Sequence, residues 1–152
     1  SSCEKQLPFL LSSNSEANHI ISRNVENLED RKNIIKIDTI SIDQFCLNND
    51  IQKVDLIKLD IEGQEFDAIK GARETLLRNQ NIKIIFELNI AYNNNGIEIA
   101  KNIFNELKKL NFSNFQALLK PRIFIKDLSN LENVELLKKI TSRHNVNILA
   151  TR

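Results

Sequence analysis

The run VDLIKLDIEGQEFDAIKGARE, residues 54–74, constrains the fold more tightly than any other part of the chain. Its first eight residues have the apolar content of a buried strand, yet Lys58, Asp60 and Glu62 recur at every second position. Successive strand side chains point to opposite faces, so these three are expected on one face, with Ile57, Leu59 and Ile61 on the other. Gly63 then breaks the strand. Residues 64–78 follow as an amphipathic helix with Phe66, Ile69, Ala72, Leu76 and Leu77 on one stripe. Charge at the carboxyl end of a core strand is costly to bury unless it is paired or used. Chemistry is therefore expected here first.

The same alternation runs along the chain. Residues 7–11 and 34–40 read as strands, and the polar stretch 12–33 between them as a long surface loop. Ser41 and Gln44 resemble a capping box that opens a short helix through Phe45 and Leu47. Residues 82–88 form a near-continuous apolar strand, as expected when both faces of a sheet are covered. A loop at 92–96 leads to a helix over 97–110. Strands at 112–119 and 122–126 flank Pro121, and a helix at 131–140 precedes a last strand at 146–150. Strands alternating with helices predict an α/β fold, with a parallel sheet, right-handed crossovers and helices on both faces.

Bulk properties exclude several function classes. A length of 152 residues suits one domain with a real core. A formal net charge of +1 gives no surface for nucleic acid or anionic membrane. No apolar run approaches the ~20 residues that span a bilayer, and no secretory signal opens the chain. Cys3 and Cys46 lack metal-ligand spacing and suit a reduced, cytoplasmic setting, with a disulfide as the open alternative. His19 and His144 form no HxxxH or Cys–His pattern, so no zinc site is expected. Nucleophile elbow, P-loop and GxGxxG motifs are all absent. No Met occurs even at position 1, so the sequence reads as a piece of something longer.

In an open α/β sheet, ligands bind beyond the carboxyl ends of the strands. Asp60 and Glu62 belong at that end of one strand, and Glu87 near the same end of the next. Three carboxylates are thus expected to converge on one crevice. Such a set can act as a general base, bind the hydroxyl or ammonium groups of a ligand, or hold a divalent cation. Lys58, deeper in the row, offsets part of their charge. A structural alternative stands beside each role. Acidic residues before a helix also cap it, a lysine among carboxylates is also a paired structural cation, and Glu65 reads as a cap or salt-bridge residue. Gly71, inside a helical pattern, implies close helix–sheet packing.

The segment KLDIEGQEFDAIKGARETL, with IIFELN after it, resembles the signature of FkbM-type methyltransferases. Lys58, Asp60, Glu62, Gly63, Glu65 and Gly71 all match it, and DTISIDQF resembles an upstream segment of the family, with Asp43 at its Asp position and Ile42 in place of the usual Leu. The resemblance implies a Rossmann-like class I sheet. It also implies S-adenosylmethionine (AdoMet) as methyl donor and O-methylation of a small-molecule acceptor such as a sugar or polyketide. It puts Asp60 near the methyl donor and the acceptor hydroxyl, and Glu4, in the opening SSCEKQLPF, near the adenine. Glu62, Glu87 and Lys58 become acceptor-side groups. The family's Gly-rich cofactor turn precedes these segments. Residues 1–152 are therefore expected to be the C-terminal portion of a single domain, lacking its N-terminal strands and inactive alone. Two other readings remain open: part of a TIM barrel with a metal-assisted lyase or phosphodiesterase site, and a non-catalytic, degenerate module.

Overall fold

Strand periodicity is cleanest in KIIFEL, and the fold is built around it. The computed structural model describes residues 5–11, 19–20, 33–88, 96–118, 123–125 and 146–152. Its elements are β1 (Lys5–Leu10), β2 (His19–Ile20), β3 (Ile34–Thr39), α1 (Ile42–Asn48), β4 (Leu56–Leu59) and α2 (Glu65–Lys70). They continue as α3 (Arg73–Arg78), β5 (Lys83–Leu88), α4 (Gly96–Lys109), β6 (Asn114–Ala117), β7 (Ile123–Ile125) and β8 (Val146–Thr151). The helix expected at 131–140 lies outside the described residues, as do Glu4, Cys3 and His144.

The main sheet has the order β4-β5-β8-β6-β7. Only β4 and β5 pair in parallel; β5–β8, β6–β8 and β6–β7 are antiparallel. Because β8 opposes both of its neighbours, β4, β5 and β6 point the same way and β8 runs backwards between β5 and β6. The expected parallel sheet is thus corrected to a mixed one. The two-residue period of a strand carries no direction, so the sequence pattern reads alike either way. These pairings are not those of a (β/α)8 barrel, whose strands all run parallel. Ahead of this sheet, β2, β1 and β3 form a separate antiparallel sheet, with Lys5 opposite Thr39 and Leu10 opposite Ile34. None of its described positions is buried.

The core forms on one face of the main sheet. Ile84, Phe86 and Leu88 of β5 join Val146, Ile148 and Ala150 of β8 and Phe115 and Ala117 of β6. Against them pack Ile69 of α2, Leu76 of α3, and Ala100, Ile103, Phe104 and Leu107 of α4. Phe104 meets Phe86 and Phe115 edge-to-face, with ring centroids 5.9 and 5.1 Å apart. The alternate positions, Ile85, Glu87, Asn147 and Leu149, are half-buried, so the second face is only partly covered. In the parallel register Leu59 pairs with Phe86 and Lys58 with Ile85. Leu59 therefore belongs to the core face, and Lys58, the charged residue of β4, to the other.

The single helix expected over 64–78 is two helices with a junction at Gly71 and Ala72. The cause is Asp43, in the first turn of α1. Its backbone N–H takes the Gly71 carbonyl at 2.8 Å, the acceptor that the Thr75 N–H would use in a continuous helix. Its carboxylate then accepts the freed N–H groups of Glu74 and Thr75 at 3.0 and 2.7 Å. Gly71 answers to α1 rather than to the sheet, because a Cβ at this position would lie 3.3 Å from the Cβ of Ser41. Ser41 in turn caps α1 by accepting the Gln44 N–H, as the sequence spacing predicts.

Candidate active site

Strand β4 ends at Leu59, one residue before the first carboxylate. In the parallel register, Asp60 falls beside Glu87 one step past the last pair, on the half-buried face. The Lys58 ammonium and the Asp60 carboxylate, two apart on that face, form an ion pair at 2.7 Å with both side chains about half exposed. At such exposure the pair contributes only ~0.2–1 kcal/mol, so its value is in shaping the charge around Asp60 rather than in stability.

Glu62 does not continue the strand row, which corrects the expectation of three charges on one pleated face. It adopts a left-handed backbone at φ +52°, followed by Gly63 at φ +93°. The turn is closed by the Gln64 N–H on the Ile61 carbonyl at 3.4 Å. Inside it, one oxygen of the buried Glu65 carboxylate accepts the N–H groups of Ile61 at 3.1 Å and Gly63 at 3.4 Å. This reversal carries Glu62 back toward its neighbours. One oxygen each from Asp60, Glu62 and Glu87 lie within 4.8 Å of one another. The convergence expected of the three carboxylates is present, reached through a turn rather than a straight strand.

Beside the cluster is a recess lined by Gly63, Glu65, Glu87, Leu88, Gly96 and Ala100, so small residues in the first turn of α4 border it. A wider depression between α2 and α4, lined by Phe66, Asn102 and Lys109 among others, shares no residue with the cluster and gathers no comparable set of carboxylates. Across β8, Asn147 stands opposite Glu87, and its buried side-chain oxygen has no hydrogen-bond partner among the described residues. Sequence reasoning passed over both Asn147 and the inward role of Glu65. The signal for Glu65 was its spacing, two residues after a glycine that ends a strand.

The three carboxylates are hydrogen-bond acceptors only, and their negative charge exceeds the positive charge of the one lysine beside them. The set suits hydroxyl and ammonium groups or a hard divalent cation. The family model of the methyltransferase FkbM domain matches residues 4–113, which include every one of these groups. The chain belongs to this family. No curated protein and no solved structure matches it. As an FkbM-domain protein it carries the signature in two spatial sets. Asp60, Glu62 and Glu87 meet at the crevice, whereas Asp43, Glu65 and Gly71 hold the surrounding turns and helix ends. No helix among the described residues is long and apolar enough to cross a membrane.

The cofactor that the resemblance implies presents an ammonium and ribose hydroxyls, groups that carboxylate acceptors such as Asp60 can take. Among the described residues, Asp60 is the group the resemblance assigns to both cofactor and acceptor; Glu4, its other cofactor-side residue, lies outside them.

Proposed function

We propose that the chain contributes the acceptor side of an AdoMet-dependent O-methyltransferase acting on a small hydroxylated molecule, a sugar or related natural product. The observation that carries the reading is the convergence of Asp60, Glu62 and Glu87 within 4.8 Å, inside the segment that the FkbM family model matches. AdoMet, when bound, supplies an electrophilic methyl group. Asp60 hydrogen-bonds the acceptor hydroxyl and accepts its proton as the oxygen becomes nucleophilic. Glu62 and Glu87 bind neighbouring hydroxyls and set the orientation of the ring that carries them. Lys58, paired with Asp60 at 2.7 Å, holds that carboxylate in place and offsets charge at the mouth of the crevice.

Methyl transfer is an in-line displacement, so orientation of the hydroxyl supplies much of the rate. Proton acceptance by a placed carboxylate adds about 10²–10⁴-fold. The test, run on the full-length protein, is tritium transfer from methyl-labelled AdoMet to a panel of methyl glycosides, with the product identified as a methyl ether by mass spectrometry. Transfer that depends on the acceptor supports the reading. Absence of both transfer and AdoMet binding by calorimetry overturns it.

A further inference from the structure

We propose that Glu65 is a positioning residue, whose buried carboxylate holds the turn that brings Glu62 into reach of Asp60 and Glu87. The inference rests on the reading of those three carboxylates as the acceptor site, and it concerns a residue that acts on them through the turn.

Glu65 is only 4% exposed, and among the described residues it is the one charged side chain that is buried. A buried carboxylate is costly unless its oxygens are satisfied. Its hydrogen bonds run backwards along the chain, to the N–H groups of Ile61 and Gly63. Glu65 is the first residue of α2, and Gln64 before it makes no side-chain cap bond, so this is not the reciprocal capping of a helix start. The carboxylate serves the turn instead. That turn contains two consecutive left-handed residues, and the first of them, Glu62, bears a side chain that disfavours this region. With two of its N–H groups drawn onto one buried oxygen, the left-handed pair is held and the Glu62 side chain is turned back over Asp60. Without that anchor the chain relaxes toward extended backbone, and Glu62 leaves the cluster.

The test combines a structural and a functional measurement on Glu65→Ala and Glu65→Gln. By amide hydrogen exchange, Glu65→Ala speeds exchange at Ile61 and Gly63 roughly tenfold or more, as loss of bonds to a charged acceptor implies. Core amides such as Ile84 and Phe86 stay protected, and Glu65→Gln, which keeps an acceptor oxygen, recovers part of the protection. Unchanged exchange at Ile61 and Gly63 in Glu65→Ala overturns the proposal. In methyl transfer to methyl glycosides, Glu65→Ala loses turnover to the same extent as Glu62→Ala, and the double variant is no worse than Glu62→Ala alone. A further drop in the Glu62→Ala background shows a general structural role and overturns the proposal. If Glu62→Ala keeps full transfer while the Ile61 and Gly63 amides still open in Glu65→Ala, the clamp is supported and the acceptor role of Glu62 falls.

Discussion

Asp43, in the first turn of α1, accepts the backbone N–H of Thr75 at 2.7 Å and so caps a helix to which it does not belong. The neighbouring Glu74 N–H reaches its other oxygen at 3.0 Å. Helix α3 starts at Arg73 after Ala72, which has no side chain to offer as a cap, so Asp43 supplies one from 32 residues away. The acidic residue of the upstream signature segment thus joins two helices and stands apart from the carboxylate crevice.

Removing that carboxylate should cost stability and leave chemistry per folded molecule intact. Asp43→Ala is expected to destabilise by ~1–2 kcal/mol, the upper range for loss of an N-cap. Asp43→Asn, which keeps one acceptor oxygen, should lose less. Urea denaturation measures both. A midpoint unmoved by Asp43→Ala would refute the capping role.

Much of the crevice was legible in the sequence because it depends on two local rules. Alternation put Lys58 and Asp60 on one face, and the habit of adjacent strands ending together put Glu87 beside them; the β4–β5 register bears out both. Three features were hidden, each for a physical reason. Strand direction leaves no trace in a period of two, so the reversed β8 read like any other strand. The break between α2 and α3 is made by Asp43, a contact far along the chain that no helical periodicity encodes. The left-handed backbone at Glu62 runs against the residue's own preference and is imposed by Glu65 from the next element.

That last conflict yields a trade between stability and function. Glu62 at φ +52° pays a penalty that glycine does not. Glu62→Gly is therefore expected to stabilise the fold by about 0.5–1 kcal/mol while reducing methyl transfer, as strain retained at a working site predicts. Gly63→Ala, at φ +93° and with nothing within 4 Å of the added Cβ, should destabilise through backbone strain alone, by about 1–2 kcal/mol. Thermal or urea melts of the two variants should move in opposite directions.

Arg152 ties the far ends of two helices together. Its guanidinium donates to the carbonyls of Leu76 at 2.7 Å, Asn79 at 2.7 Å and Leu110 at 3.1 Å, around the C-termini of α3 and α4, and it stacks over the Phe112 ring. Burial pushes its pKa below the usual arginine range, a desolvation cost that the three carbonyls offset. Arg152→Ala should destabilise by roughly 2 kcal/mol, the scale of hydrogen bonds to a charged group. Arg152→Lys should recover little, because a lone ammonium lacks the planar fork that spans three carbonyls. Chemical denaturation of the two variants against the parent decides between a fork and a simple charge.

The sharpest functional expectation concerns Asp60, because its three neighbours make different demands on it. Lys58 holds it at 2.7 Å from one side, and Glu62 and Glu87 crowd it from the other. A carboxylate that only balanced Lys58 could be replaced by an amide at small cost, since an exposed pair contributes at most ~1 kcal/mol. A carboxylate that takes the acceptor proton could not, because the amide has no basic oxygen to receive it. Asp60→Asn should therefore lower turnover by about 10²–10⁴-fold with little change in the denaturation midpoint. Lys58→Ala should lower turnover less, since the base remains and only its placement loosens. Rates measured with AdoMet and methyl glycosides, beside urea midpoints for the same variants, separate the two roles. Full turnover in Asp60→Asn would leave Asp60 as the partner of Lys58 and nothing more.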